Sequence, residues 1–270
     1  MNPAAAGVRW FGGWRSRAGS PAAADDGRVV AEASVRVRID PELWFFAAPR
    51  HRVARLDLLY DGTATVGHIA ESLGVPLTEV GRFLIDGSPA TPSLQPHPGA
   101  VIDIRPVDRP QSSPPRFVLD VHLGKLARRL RLLGIDTAYR NDATDDELIQ
   151  QAERERRVLL TQDRGILRRR VLRAGAYVRG ADPARQMVDV VGRFAPPLEP
   201  WTRCTACNGV LHPVSKEDVE DEIEPGTRRH YDDYARCEDC AQVYWRGAHS
   251  RRIDAIIRSA RAAHPRPDQW

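Results

Sequence analysis

Lysine is nearly absent from this chain: Lys125 and Lys216 are the only two among 40 basic residues, so the formal net charge of +4 rests on arginine. Guanidinium groups hold phosphates in bidentate fashion, which makes nucleic acid the partner this imbalance favours. A genome biased towards arginine codons would write the same skew. Cysteine is missing from the first 203 residues, and all four cysteines fall in two C-x-x-C pairs near the C-terminal end. That clustering excludes a disulfide framework spread through a secreted domain. No stretch approaches the ~20 apolar residues of a membrane helix. The N-terminal region, with Trp10, Phe11 and Trp14 among Arg, Gly and Ala, lacks the apolar core of a secretory signal. The expectation is a soluble cytoplasmic protein with no membrane partner.

What is present is ordinary globular material. A composition 42% hydrophobic and 28% charged over 270 residues is enough for one large domain or two to three small ones. Residues 1–31 are rich in Ala, Gly, Arg and Ser without a sustained period and read as a disordered leader. Over residues 32–107 the pattern changes. Ala33, Val35 and Val37 alternate as a half-buried strand, and Val53, Leu56, Leu58 and Leu59 give a second. Thr65 caps a helix closed by Gly74, and Phe83–Ile85 and Val101–Ile104 are two further strands. That order fits a β-grasp, ubiquitin-like α+β module. The proline-rich residues 108–115 have linker composition.

Residues 116–195 alternate strand and helix. Phe117–Leu119 is a short strand ending at Asp120, followed by a helix with Leu123, Leu126, Ala127, Leu130 and Leu133 on one face. Ile135–Tyr139 is the next strand, and Thr144 and Glu147 have capping-box spacing for the helix after it. Val158–Thr161 is a third strand, Ile166, Leu167, Val171 and Leu172 suit one amphipathic helix, Ala176–Val178 a fourth strand, and Pro183–Phe194 a last helix capped by Asp182. Such alternation implies a parallel sheet with right-handed crossovers. Residues 196–255 contain the cysteines and 256–270 are read as a tail.

In an open parallel sheet the residues just past the carboxyl ends of the strands line a common crevice. Asp120 and Asp163 fall there, and Asp145 and Asp146 open the helix behind the second strand. Gathered carboxylates repel one another unless a cation neutralises them, and Mg²⁺ or Mn²⁺ is the natural occupant. Singly, each has a plainer use: Asp120 and Asp163 as helix caps, Asp145 and Asp146 as partners of a helix dipole. Lys125, Arg128, Arg164 and Arg168 to Arg170 are the cations placed to neutralise a phosphate backbone, Arg164 foremost, unless they are a solvated helix face. Cys204, Cys207, Cys237 and Cys240 supply the four thiolates of a closed structural zinc site, against which stand a redox pair or chance clustering. The acidic run from Glu217 to Glu224 between the knuckles reads as a solvated insertion.

Several runs then carry a resemblance. Phe117-Val118-Leu119-Asp120, Leu123–Arg128 and Leu130–Asp136, with Asp145–Leu148, Arg157–Arg164, Gln186 and both cysteine pairs, are similar to the PIN-like ribonuclease domain named after the C-terminal region of the Mut-seven exonuclease. The likeness covers about residues 116–253, and Gly247-Ala248-His249 departs from it where a serine is expected before the histidine. It implies a PIN-like three-layer domain followed by a zinc ribbon, with an N-terminal ubiquitin-like domain as bacterial members often carry. It implies Mg²⁺- or Mn²⁺-dependent cleavage of RNA, metal-binding roles for Asp120, Asp145 and Asp163, and a fourth acid among Asp142, Asp146 and Asp182.

The expected function is a metal-dependent ribonuclease, endonucleolytic in action, that hydrolyses RNA phosphodiesters. The rival from another class is an inactive RNA-binding or ribosome-associated adaptor, with the β-grasp module docking a protein partner. A sulfur carrier is disfavoured because Ile104-Arg105-Pro106-Val107 runs on without a terminal Gly-Gly.

Overall fold

A computed structural model describes residues 33–111, 116–247 and 250–264; the expected leader, the second half of the linker, Ala248 and His249, and the last six residues of the expected tail lie outside the described residues. The chain divides into two compact units, one built from residues up to Gly74 together with Arg82–Arg105, the other from Val75–Gly81 and Pro106 onward.

The first unit is a β-grasp. Strands β1 (Ser34–Ile39), β2 (Leu56–Leu59), β3 (Val80–Ile85), β4 (Ser88–Ala90) and β5 (Val101–Pro106) form one sheet in the order β2-β1-β5-β3-β4. β1 runs antiparallel to β2 and parallel to β5. Alternation in β1 sends Val35, Val37 and Ile39 inward, and helix α1 (Val66–Leu73) contributes Ile69, Ala70 and Leu73 to the buried set. Thr65 Oγ1 accepts the His68 N–H at its start, and Gly74 ends it at φ +103°, a conformation that suits glycine. The second strand is shorter than the sequence pattern implies: Val53 lies outside it and is 41% exposed. β4 carries a proline and only three residues, too few for a periodic signal.

The second unit centres on a four-stranded parallel sheet: β6 (Arg116–Leu119), β7 (Asp136–Tyr139), β8 (Val158–Thr161) and β9 (Gly175–Tyr177), in the order β7-β6-β8-β9. Its residues are buried on both faces, as a covered parallel sheet requires. Phe117, Leu119, Val158 and Leu160 pack against α2 (Gly124–Leu132), α5 (Pro183–Phe194) and α7 (Ser250–Ala263). Val118 and Leu159 point the other way, against α3 (Asp145–Glu155) and α4 (Arg164–Leu167). The result is three layers, helix on sheet on helix. The Val75–Gly81 segment belongs to this unit: buried Glu79 accepts from the Arg193 guanidinium at 2.9 and 3.1 Å and from Tyr177 N at 2.7 Å.

Three expectations need correcting. The amphipathic helix over Ile166–Leu172 stops at Leu167, because Arg168 N and Arg169 N bond to Gly165 O and Ile166 O in tight turns. This turn leaves Val171 60% exposed while Leu172 returns to the core. The acidic run is not a solvated insertion: Val219 and Ile223 are buried against Tyr234 and Val243, and only its carboxylates face water. Residues 256–263 are no tail but the second half of α7, whose Ile257 and Ala260 are core.

The cysteines sit on a small antiparallel sheet of β10 (Leu211–Val214), β11 (Tyr234–Cys237) and β12 (Val243–Trp245), in that order, with α6 (Pro225–His230) between the first two strands.

Candidate active site and metal centre

The connection from β6 leads to β7 on one side, and the next connection crosses to β8 on the other, so chain order reverses between β6 and β8. In open α/β sheets ligands bind at the carboxyl ends of such a pair. Asp120 follows β6 directly and Thr161 closes β8. Asp120 is 5% exposed, and its Oδ2 accepts the Thr161 hydroxyl at 2.6 Å. Thr161 Oγ1 in turn accepts Asp163 N–H at 2.8 Å. The carboxylate of Asp120 caps no helix, so the plainer use of that residue does not apply. Asp163 does serve as a cap, accepting Gly165 N–H at 2.5 Å, while its side chain stays at the surface.

Asp145 opens α3 behind the capping box of Thr144 and Glu147. Glu147 and the three candidates for a fourth acid all have partners. Asp142 lies 3.5 Å from Arg140, Asp146 is 2.6 Å from Arg169, Glu147 serves the cap, and Asp182 caps α5. Asp145 makes no ion pair or side-chain hydrogen bond among the described residues. The three carboxylates are not drawn to mutual ligand distance: among the described residues, the one group of three or more potential ligands with atoms within 4.8 Å of one another is the cysteine cluster.

Beside the crevice lies a cavity of about 770 Å³ lined by His122, Lys125, Arg128, Asn141, Gln162 and Gln186, among others. Lys125 and Arg128 therefore face a common space, reached from one turn of α2. Val121 and Gln162, the residues next to Asp120 and Asp163, also line it; the aspartates themselves do not. A Cβ on Gly124 would meet Tyr139 Oη at 2.6 Å, so a larger residue there must displace that ring and its hydrogen bond to Val121 O. Arg164 begins α4, one residue past Asp163. Thr161 and His122 escaped the sequence reading. A lone threonine ending the apolar strand Val158-Leu159-Leu160, two residues before an aspartate, was the signal for the first; nothing in the sequence marks the second.

The four cysteines converge. Cys204 Sγ lies 3.6 Å from Cys240 Sγ and Cys207 Sγ 3.4 Å from Cys237 Sγ. Each knuckle ends in a left-handed residue, Asn208 at φ +83° and Ala241 at φ +60°, and a Cβ on Gly209 would strike Cys237 Sγ. Amides of Cys207 and Gly209 point at Cys204 and Cys207 sulfurs at 3.4 Å. Burial pushes the Cys204 thiol up, but hydrogen bonds from the Tyr244 hydroxyl and the knuckle amides outweigh it and bring the group to about 6. Burial and the neighbouring thiols push Cys207 up to about 12. Four sulfurs in this packing compete for protons and suit a tetrahedral thiophilic cation, so the cluster can hold a structural zinc ion. The first knuckle is clamped to the parallel sheet: Asn208 Oδ1 accepts Thr137 N–H at 2.8 Å, and Arg131 donates to Thr205 O and Ala206 O.

These features define a ubiquitin-like unit followed by a three-layer parallel α/β domain that carries a four-cysteine ribbon. The chain belongs to the family described as the Mut7-C RNAse domain, which matches residues 115–257, more than half of its length. The family described as Mut7-C ubiquitin matches residues 32–112. Two crystal structures of small archaeal modifier protein 1 from Haloferax volcanii are similar at 19% and 20% identity; they cover 27% and 28% of this chain and 97% and 96% of their own, with TM-scores of 0.22 and 0.23. No curated protein matches the chain. No described helix is long and apolar enough to cross a membrane.

Proposed function

We propose that the chain is a cytoplasmic ribonuclease that cleaves RNA internally, with the scissile phosphodiester held at the carboxyl ends of β6 and β8. The observation that carries this reading is the state of Asp120 at the reversal point of a domain of the RNAse family: nearly buried, fixed by the Thr161 hydroxyl, and spent on no cap or cation. Asp163 is tied to the same threonine by its backbone N–H and spends Oδ1 on the Gly165 N–H, and Asp145 has no partner among the described residues, so each of the three keeps a carboxylate oxygen for a divalent ion. Lys125, Arg128 and Arg164 take the phosphate backbone, and Gln162 and His122 line the same cavity.

Hard carboxylate oxygens suit Mg²⁺ or Mn²⁺. Direct ligands of one such ion lie at most about 4.2 Å apart, twice a metal–oxygen distance of about 2.1 Å. The wider spacing of the three acids fits two ions, or one ion reached partly through water. When bound, the metal would neutralise the phosphodiester and favour hydroxide formation from water. The chain's part is to fix Asp120 through Thr161, to present Asp163 from the N-cap of α4, and to hold the RNA by its cations.

The same spacing favours a second reading, an RNA-binding adaptor that has lost catalysis and uses the ubiquitin-like unit to dock a protein. Incubation of a circular single-stranded RNA and a structured RNA with zinc-loaded protein in Mn²⁺, Mg²⁺ or EDTA separates the two. Linearisation of the circle that needs metal and is lost in Asp120→Asn and Asp163→Asn supports the endonuclease. No cleavage in any metal, with RNA still bound, supports the adaptor.

A further inference from the structure

An apolar cleft of the second unit lies away from the aspartates, on the ribbon. It encloses about 710 Å³, and its walls include Trp201, Tyr231, Tyr244, Trp245 and Arg203. Trp201 is held in left-handed backbone (φ +73°), and the Arg246 guanidinium lies 5.4 Å from the centre of its ring. Trp245 is 36% exposed, although it neighbours buried Val243 on the same strand. Aromatic faces open to solvent beside guanidinium groups are the chemistry by which single-stranded nucleic acid is held: bases stack on the rings and phosphates meet the cations.

Continuity chooses the occupant. Arg128, Gly124 and Tyr139 line both the crevice cavity and a smaller one of about 350 Å³. That smaller cavity is also walled by Arg131 and Thr205, and Thr205 lines the aromatic cleft in turn. The three cavities therefore adjoin in turn, from the aspartate crevice past the first cysteine knuckle to the tryptophans, with exposed Arg128 at the crevice end and exposed Arg246 beside Trp201, while buried Arg131 holds the knuckle between them.

We propose that the ribbon cleft is a base-stacking subsite, which takes an unpaired base of a single RNA strand whose backbone continues to the crevice. It makes single-stranded RNA the substrate class and gives the ribbon a binding role besides its structural one. The inference rests on the ribonucleolytic reading for its substrate, and the test keeps the two apart.

The test is anisotropy of a fluorescein-labelled single-stranded RNA of roughly twelve nucleotides, within the span an extended groove covers, with zinc-loaded full-length protein and no Mg²⁺ or Mn²⁺. A base-free ribose-phosphate oligomer of the same length is the second probe. Trp245→Ala and, separately, Tyr231→Ala should weaken RNA binding at least about fivefold, and Trp245→Phe should restore it, as expected for loss of one stacked base. The base-free oligomer should bind wild type and variants alike. Zinc content, measured on each variant, reports an intact ribbon. Equal affinity of wild type for both probes, or unchanged RNA binding by zinc-replete Trp245→Ala and Tyr231→Ala, overturns the subsite and leaves the cleft to an apolar peptide. Base-dependent binding in a protein that cleaves nothing with Mn²⁺ keeps the subsite and removes the nuclease. Cleavage by wild type with unchanged binding in both variants does the reverse.

Discussion

The two ends of the parallel sheet hold the same kinds of side chain and use them in opposite ways. At the amino end Asp136 is a hub. It meets Arg157 at 2.7 Å, Arg116 at 3.1 Å and the Asn208 amide at 2.8 Å. Burial pushes its carboxyl up, but those three donors outweigh it and hold the group at about 2. Arg157, with a side chain 8% exposed, is shared with Glu155. At the carboxyl end Asp120 receives one neutral hydroxyl, Asp145 receives no side-chain partner among the described residues, and Lys125 and Arg128 open on a cavity. Charges that cancel each other hold a fold together; charges left uncancelled at a strand-order reversal are kept for something from outside. The amino end is therefore the structural end, and the carboxyl end is the one we assign to chemistry.

The cysteine cluster, if it holds zinc, gives the largest way to break this contrast. The first knuckle feeds Asn208 into the amino-end network, so loss of the ion should loosen both the ribbon and β7. Chelation of zinc, or Cys204→Ala, should lower the thermal midpoint by about 10 °C or more, since a structural zinc site contributes folding free energy directly. Calorimetry with and without chelator checks it; an unchanged midpoint would remove zinc from the structure's support.

Next in size is the chemical effect. Asp163→Asn and Asp120→Asn should reduce RNA cleavage by at least about a hundredfold, roughly 3 kcal/mol of barrier, with little change in midpoint. The mirror experiment at the other end is Asp136→Asn. It takes from buried Arg157 one of its two carboxylates and should destabilise by about 2 kcal/mol in urea unfolding while leaving cleavage per folded molecule intact. If Asp136→Asn abolished cleavage in folded protein, the division of labour between the ends would fail.

The pH dependence sharpens the same point. The carboxyl of Asp136 is depressed in the folded state, so its stabilisation is complete above about pH 4 and is lost as pH falls towards 2. From the ordinary value of 3.8 to about 2 the loss is about 2 kcal/mol. Urea titrations between pH 5 and 2 should show this acid limb in wild type and a shallower one in Asp136→Asn.

Much of the architecture was legible because it depends on local rules. Thr65 with Gly74, Thr144 with Glu147, and Asp182 with Pro183 are end signals written in adjacent residues, and each bounds a helix. The paired C-x-x-C spacing announced the cysteine cluster. What stayed hidden depends on distant partners. The burial of Val219 and Ile223 needs Tyr234 and Val243 opposite them, and an acidic run gives no hint of that. α7 is amphipathic, but only the face of α5 makes its second half core. At the site, the sequence placed Asp120 and Asp163 at strand ends; the hydroxyl of Thr161 that links them is a relation across two strands and could not be read from either.

The smallest effect decides the most local question, which acid of the α3 first turn serves the site. Asp146 is 2.6 Å from Arg169 in a pair whose side chains are 68% and 48% exposed, so Asp146→Asn should cost under about 0.5 kcal/mol and leave cleavage close to wild type. Asp145→Asn should be as mild in stability, because nothing among the described residues depends on that carboxylate, yet it should cut cleavage about tenfold or more and raise the Mn²⁺ concentration needed. Metal titrations of the two variants side by side check this. A reversed pattern would move the ligand from Asp145 to Asp146 and turn the Arg169 pair into a contact that metal must displace. Equal, negligible effects would confine the metal site to Asp120 and Asp163, and the uncancelled charge at the carboxyl end would then be smaller than the contrast between the two ends requires.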